Sequence, residues 1–286
     1  MEKGLKMCSA HNVNRGSGRL MQLEETTMSC PLPPEIFDLI IDHLHDDAIA
    51  LRACCFVSKS WVPRTQRYLF AHIKFTTESS LESWMRTFPD PSNSPAHHVR
   101  TLSIRGIEVF ASVNADGYVW LRSFNNTETL FANPAVWDTA RGITLAPLRG
   151  LSPTLKSLHL FRSSIPLPDI LDLICSFPLL EDLVVGSIGI ESGAHKWDLP
   201  QTSPKLTGSL RLTGQNRILS RKLMDLPDGL HFSKVLVRCT IEDAALAMEL
   251  VTRCYDTLES LTIEFYPSGV FPSASVATDT SHLHWT

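Results

Sequence analysis

The chain has 286 residues, of which 43% are hydrophobic and 20% charged, and its formal net charge is −4. This length allows a buried core in one or two domains, and the charge lacks the basic excess typical of nucleic-acid-binding proteins. No apolar run reaches the roughly 18 residues of a membrane span, and the first residues contain no apolar signal segment. We therefore expect a cytoplasmic or nuclear protein with reduced thiols, whose partners include neither nucleic acid nor a membrane.

Residues 1–30 show no hydrophobic periodicity and predict a disordered leader. The stretch that follows, 31–73, has the pattern of three short helices and opens with "LPPEIFDLIIDHLHDD". At about 100° per residue, the apolar side chains of the first helix cover an arc of about 200°, twice the usual width for a surface helix. They are Ile36, Phe37, Leu39, Ile40, Ile41 and Leu44. Such excess apolar surface either packs on the rest of the chain or binds another protein.

This helical stretch resembles an F-box, in the version common in fungal F-box proteins. An LPxEI opening is followed by VSKxW at the family's separation, whereas "ACC" at 53–55 and Pro63 depart from its usual pattern. The resemblance implies docking to the Skp adaptor of a Skp–cullin–F-box ubiquitin ligase, and through it to a cullin scaffold. The implied adaptor-binding residues are Leu32, Pro33, Ile36, Ile40, Leu44, Leu51, Val57 and Trp61.

Residues 74–98 are predicted to be a linker that contains one short helix, in "ESSLESWMRTF". Beyond it, in 99–266, strand-like runs alternate with helical ones. The runs centre on Leu102, Leu158, Leu183, Leu210, Val235 and Leu261. The last four intervals are 25 to 27 residues long, and the 56-residue gap after the first centre indicates one irregular or inserted repeat.

These intervals lie within the 20–29 residues of leucine-rich repeats, and the region is similar to a degenerate form of them. The fold class predicted for the whole chain is therefore α+β/α/β: a three-helix F-box followed by a leucine-rich-repeat-like α/β solenoid. An ordinary α/β domain with chance spacing is the alternative. Residues 267–286 read as an irregular tail, which either folds back as a cap or ends a shortened solenoid.

In such a solenoid, alternate strand residues point away from the core and line the target-binding face. The candidate target-binding residues are His159, Arg211, Lys234, Leu236 and Arg238. Their basic character suits an acidic or phosphorylated segment of a target protein. A solvated face with scattered charge is the alternative.

No Walker loop, G-x-S-x-G, H-E-x-x-H or G-x-G-x-x-G motif occurs in the sequence, and no Cys/His set has zinc spacing. We expect no enzyme, no cofactor and no metal site. The expected function is that of a substrate-recognition subunit that holds an unknown protein target for ubiquitin transfer. A scaffold that uses the F-box only for docking is the alternative, and a hydrolase or transferase hidden in the α/β part is a third hypothesis.

Overall fold

The computed structural model describes residues 33–105, 120–133, 146–149, 151, 153–161, 167–186, 203–214, 216–267 and 282–285. The predicted leader, Leu32 and most of the predicted tail lie outside these residues. No helix in the described ranges combines the length and apolar character needed to cross a membrane.

Three short helices come first: α1 (Pro34–His43), α2 (Ala48–Val57) and α3 (Val62–Leu69). A proline at the first position and an acidic residue in the first turn favour the start of α1. The Asp47 carboxylate caps α2 by accepting hydrogen bonds from the backbone N–H groups of Ile49 and Ala50, both at 3.0 Å.

The core of this helical unit is small. Ile41 and Leu51 are each 1% exposed, and Cys54 is also buried. The Phe37 ring packs on the Trp61 indole with ring centroids 5.3 Å apart. One fully buried residue on α1 and two on α2 leave most of the apolar arc of α1 outside this core.

A polar network fixes α1 against α3. The Arg64 guanidinium donates to Asp42 Oδ1 at 2.7 Å and to Asp38 Oδ2 at 3.0 Å, and it makes a further bond to Asp42 Oδ2. The Tyr68 hydroxyl donates to Asp42 Oδ1 at 2.6 Å. These hydrogen bonds lower the pKa of the Asp42 carboxyl to about 2, that to Arg64 having the larger effect. Asp38 and Asp42, two of the three acidic residues of α1, therefore orient the helix against α3.

A sheet follows whose strands lie in chain order, β1 to β9. The first eight strands are parallel, and β9 pairs antiparallel with β8, so residues 282–285 of the predicted tail fold back onto the last parallel strand. The strands are β1 (His72–Phe75), β2 (Thr101–Arg105), β3 (Thr129–Asn133), β4 (Ser157–Phe161), β5 (Asp182–Gly186), β6 (Ser209–Thr213), β7 (Lys234–Cys239), β8 (Ser260–Phe265) and β9 (His282–Trp285).

The register of the parallel strands follows the leucine spacing. All six predicted strand centres lie in one row across the sheet, and each is paired with its neighbour in that row. The row reads Ile73, Leu102, Leu130, Leu158, Leu183, Leu210, Val235 and Leu261. Strand β3 divides the 56-residue gap into two intervals of 28 residues, so the segment predicted to be an irregular repeat supplies a strand in the same register.

Helices lie on one face of the sheet and share its core. Buried side chains of the strand row pack with buried side chains of the later helices in one hydrophobic cluster. The helices are α4 (Glu78–Thr87), α5 (Ala146–Arg149), α6 (Leu167–Cys175), α7 (Arg217–Met224) and α8 (Ala244–Arg253). Helix α4 falls in the predicted "ESSLESWMRTF" helix, and α6 and α8 fall in the helical patterns "LPDILDLICSF" and "IEDAALAMELVTRC" of the sequence, whereas α5 and α7 were not predicted.

The same backbone arrangement recurs just before successive strands. The carbonyl oxygen of Ala71 accepts hydrogen bonds from two consecutive N–H groups, those of Arg100 and Thr101, both at 2.9 Å. Five more carbonyls accept two consecutive N–H groups at the start of the next strand in the same way, those of Arg100, Glu128, Lys156, Gly208 and Ser233. Side-chain burial and backbone bonding therefore repeat with one period.

An aromatic cluster joins the helical unit to the sheet. Phe70, just after α3, makes edge contacts with Trp84 and Phe88, with ring centroids 6.0 and 6.2 Å apart. The Trp84 ring in turn contacts Phe75 on β1 and Phe124. The domain boundary predicted at residue 73 thus falls within β1, and the predicted linker 74–98 contributes α4 to the core of the sheet.

The described chain is therefore α/β: three helices, then an eight-stranded parallel sheet with helices on one face, extended by one antiparallel strand.

Candidate interaction surfaces

The first surface is the apolar stripe of α1. Ile36, Leu39 and Ile40 are 39%, 55% and 42% exposed. Their spacing of three and four residues places them on one side of the helix, and the network to Arg64 holds the opposite, acidic side. The wide apolar arc predicted from the sequence is thus divided between a small internal core and an exposed stripe.

Helix α2 also presents apolar side chains to solvent. Ile49 and Phe56 are 79% and 78% exposed and lie two turns apart on one side of the helix, and Val57 is exposed beside them. Leu51 and Cys54 occupy the buried side. Exposed aliphatic and aromatic side chains at this density are typical of protein-binding surfaces. We call the stripes on α1 and α2 together the helical docking surface.

The predicted adaptor-binding residues divide into three groups. Those exposed on the helical unit are Pro33, Ile36, Ile40 and Val57; those partly buried are Leu44 and Trp61. Leu51 is buried and supports the helices from inside, while Leu32 lies outside the described residues.

The sequence interpretation did not include Leu39, Ile49 and Phe56 among the site residues. For Ile49 and Phe56 the available signal was their separation of seven residues, which places both on the side of α2 opposite Leu51 and Cys54.

The second surface is the sheet face opposite the helices, here called the open sheet face. Its middle row carries one outward residue from each parallel strand in register. The row reads Lys74, Ser103, Phe131, His159, Val184, Arg211, Leu236 and Thr262. All five residues predicted to bind a target point to this face, because the alternate positions on their strands are buried in the core.

Aromatic rings stack near the centre of this face. The Phe131 and His159 rings are 4.2 Å apart between centroids with a 31° interplanar angle, and Phe161 lies 6.2 Å from His159. The imidazole Nε2 of His159 lies 3.0 Å from the hydroxyl oxygen of Ser157. Burial, assisted by the nearby Arg211 charge, lowers the pKa of His159 to about 4. His159 is therefore neutral at neutral pH and contributes a ring to this face and no charge.

Strand β5 carries small outward side chains and lies between the aromatic rings of β3 and β4 and the basic side chains of β6 and β7. Its outward residues after Asp182 are Val184 and Gly186, the smallest neighbouring pair in the middle of the face. Phe161 occupies the space above Gly186, since a Cβ built on this glycine would lie 2.8 Å from Cδ1 of the Phe161 ring. The glycine thus allows the ring to lie across the neighbouring strand.

The charges on the open sheet face differ in how they are partnered. Arg238 pairs with Glu264, which is buried on the next strand. The Asp182 carboxylate accepts a hydrogen bond from the backbone N–H of Ser209 at 2.6 Å. Arg211 and Lys234 are exposed, and within the described ranges neither forms an ion pair or a side-chain hydrogen bond. Of the four basic residues predicted to bind a target, these two have cationic groups that no described side chain engages.

Outside these two surfaces we considered a partly buried thiol and possible metal ligands. Burial raises the pKa of the Cys175 thiol to about 11, so this side chain is protonated at neutral pH. Among the described residues, no group of three His, Cys, Asp or Glu side chains is arranged to hold a metal ion.

Comparison with known proteins adds no relative: neither a protein-family model, nor a curated protein, nor a solved structure matches the chain. The functional argument therefore rests on the two surfaces and the residues that form them.

Proposed function

We propose that this protein is the substrate-recognition subunit of a Skp–cullin–F-box ubiquitin ligase. Its F-box would comprise α1 to α3 and dock to the Skp adaptor. The sheet and its helices would form a leucine-rich-repeat-like solenoid that holds a protein target on the open sheet face. Its contribution to ubiquitin transfer would be proximity, since it would raise the effective concentration of a target lysine near the conjugating enzyme.

The observation that carries the proposal is the exposure of Ile36, Leu39 and Ile40 on the helix that opens with LPxEI. A helix of ten residues with one fully buried side chain gains little by packing on its own unit. Its exposed stripe supports recognition by a hydrophobic groove, in which aliphatic residues at helical spacing serve as anchors. The exposed Phe56 and Val57 on α2 add apolar area to the same unit.

The regular register of the sheet supports the solenoid. Equivalent apolar residues recur every 25 to 29 residues and pair directly across seven strand interfaces. Each described repeat contacts mainly the repeats before and after it in the chain, as expected for a quasi-one-dimensional array.

The test is the affinity of the full chain for a purified Skp adaptor, measured by titration calorimetry. We expect the double variant Ile36→Asp, Ile40→Asp to bind at least about a hundredfold more weakly, because charges would replace two central anchors. The matched control is Met248→Asp on α8, a residue that is 51% exposed and distant in sequence from the helical unit. Circular dichroism establishes that all three chains are folded.

A folded wild-type chain that does not bind the adaptor would refute the proposal, as would a double variant that binds as tightly as the wild type. If the adaptor binds, reconstitution with cullin, a ubiquitin-conjugating enzyme and a co-purified partner separates the receptor from the scaffold. Ubiquitin transfer to the partner supports the receptor, whereas stable binding without transfer supports the scaffold.

A further inference from the structure

The open sheet face carries a charge opposite to that of the whole chain. Its outward strand residues include five basic and two acidic side chains, a net charge of +3, although the chain as a whole has −4. The basic residues are Lys74, Arg105, Arg211, Lys234 and Arg238, and the acidic ones are Asp182 and Glu264. Electrostatic complementarity therefore favours an acidic partner on this face.

The positive charge lies beside an apolar feature. The stacked rings of Phe131 and His159 stand on β3 and β4, and Arg211 stands on β6 in the same row. Val184 on β5 lies between them and is 6% exposed, so it forms a low apolar floor. Across the strands from β3 to β6, the face therefore presents aromatic rings, then the small apolar surface of Val184, and then a positive charge.

The cations are arranged for separate carboxylates. Arg211 and Lys234 lie on adjacent strands but two residues apart in register, so their Cα atoms are roughly 8 Å apart. A phosphate site gathers several cations on one group, whereas here the nearby Arg238 is already paired with Glu264. Two spaced cations suit two carboxylates better than a single phosphate.

From this arrangement we propose that the open sheet face binds an extended acidic peptide segment that carries one aromatic side chain. The aromatic side chain packs against Phe131 and His159, and carboxylates of the same segment pair with Arg211 and Lys234. The inference rests on the proposed function, since it names the class of target that the receptor would hold.

Strand spacing sets the length of this segment. From β4 to β6 is two strand spacings, about 10 Å, which an extended peptide covers with about three residues. The segment therefore has its first acidic residue about three positions from the aromatic one and a second nearby.

The experiment measures binding of the full chain to fluorescein-labelled synthetic peptides by fluorescence anisotropy. The parent peptide contains one Trp, with two Glu residues beginning three positions away. Three matched peptides replace Trp by Ala, both Glu by Gln, or both Glu by phosphoserine. Chain variants are Arg211→Glu, Phe131→Thr and, as a control on the helical side of the sheet, Arg221→Glu on α7, where Arg221 is exposed.

We expect the parent peptide to bind more tightly than the Ala and Gln peptides. Arg211→Glu should weaken this binding by at least about tenfold, through loss and reversal of a charge pair. Phe131→Thr should weaken it by about two- to tenfold, as expected for loss of an aromatic contact, and Thr preserves strand propensity. Arg221→Glu should leave the affinity within about twofold, because interactions between charges more than about 10 Å apart in solvent are largely screened.

The proposal is overturned if no peptide binds, if the Ala peptide binds as well as the parent, or if Arg211→Glu has no effect. Preference for the phosphoserine peptide over the parent also overturns it, because the site would then recognise phosphate. Adaptor binding, measured on the same preparation, separates the two proposals. A chain that binds the adaptor but no peptide refutes the target class alone, and a chain that binds the peptide but no adaptor refutes the ligase role.

Discussion

The Arg238 guanidinium on β7 pairs with the Glu264 carboxylate, which lies at the same register position on β8 and is almost fully buried. Two residues earlier on the neighbouring strand β6, Arg211 points to the same face and is exposed. Two arginines that look equivalent in the sequence thus have different roles. The first neutralises a buried acid, and the second is available to a partner.

Charge reversal distinguishes these two arginines. Arg238→Glu places a carboxylate against the carboxylate of Glu264 and should lower the free energy of unfolding by about 1–3 kcal/mol. We expect a value in the lower part of this range, because the Arg238 side chain is half exposed and solvent screens its charge. Arg211→Glu should change it by no more than about 0.5 kcal/mol. Urea unfolding of both variants and the wild type measures the difference. Equal losses would contradict the assignment of separate roles.

The periodic part of the fold was predictable because burial imposes a rule on the sequence. Each repeat must supply an apolar residue at the centre of its strand, so Leu158, Leu183 and Leu210 mark their strands without knowledge of the structure. Strands β1 and β3 were not assigned as separate strands. Strand β1 has only four residues, two of them exposed, and β3 lies within a segment whose other apolar residues obscure the alternation.

The sites were less predictable than the strands. The strand register correctly placed Arg211 and Arg238 on one face of the sheet. Whether an arginine forms an ion pair, however, depends on which carboxylate lies within reach of its guanidinium. The sequence interpretation did not consider Glu264 as a partner for Arg238. An apolar pattern likewise identifies helical residues such as Leu51 and Ile49 without showing which of them is buried. The neutrality of His159 follows from its burial, which its sequence neighbours do not reveal.

Two adjacent leucines test the position of the core. Leu180 is fully buried in the hydrophobic cluster, whereas Leu179 is 51% exposed. We expect Leu180→Ala to lower the free energy of unfolding by about 2.5–5 kcal/mol, because it removes buried methyl groups and leaves a cavity. Leu179→Ala should change it by no more than about 0.5 kcal/mol. Chemical unfolding measures both, and a larger loss in Leu179→Ala would show that the turn before β5 is placed wrongly.

Gly186 tests the placement of the Phe161 ring. A methyl group at this position would lie 2.8 Å from Phe161 Cδ1 and 2.9 Å from Thr213 Oγ1, so Gly186→Ala should cost about 1–3 kcal/mol of stability through overpacking. In a Phe161→Ala background, the same substitution should cost less, since one of the two neighbours is gone. A double-mutant cycle, measured by thermal unfolding, gives the coupling energy. A cycle with no coupling would mean that Phe161 does not lie over the glycine.

The network between α1 and α3 predicts a specific loss of stability in acid. Hydrogen bonds from Arg64 and Tyr68 lower the pKa of the Asp42 carboxyl to about 2, below its usual value of 3.8. A carboxyl whose pKa is lower in the folded state than in the unfolded state stabilises the fold at any pH above its unfolded-state pKa. This stabilisation is lost as the pH falls through the folded-state pKa. The difference in melting temperature between the wild type and Asp42→Asn should therefore be full at about pH 5, be small near pH 2 and be lost below it. Asp256→Asn, at an exposed turn, is the control and should follow the wild type throughout. A difference for Asp42→Asn that persists unchanged at pH 2 would show that the carboxylate charge does not hold α1 against α3.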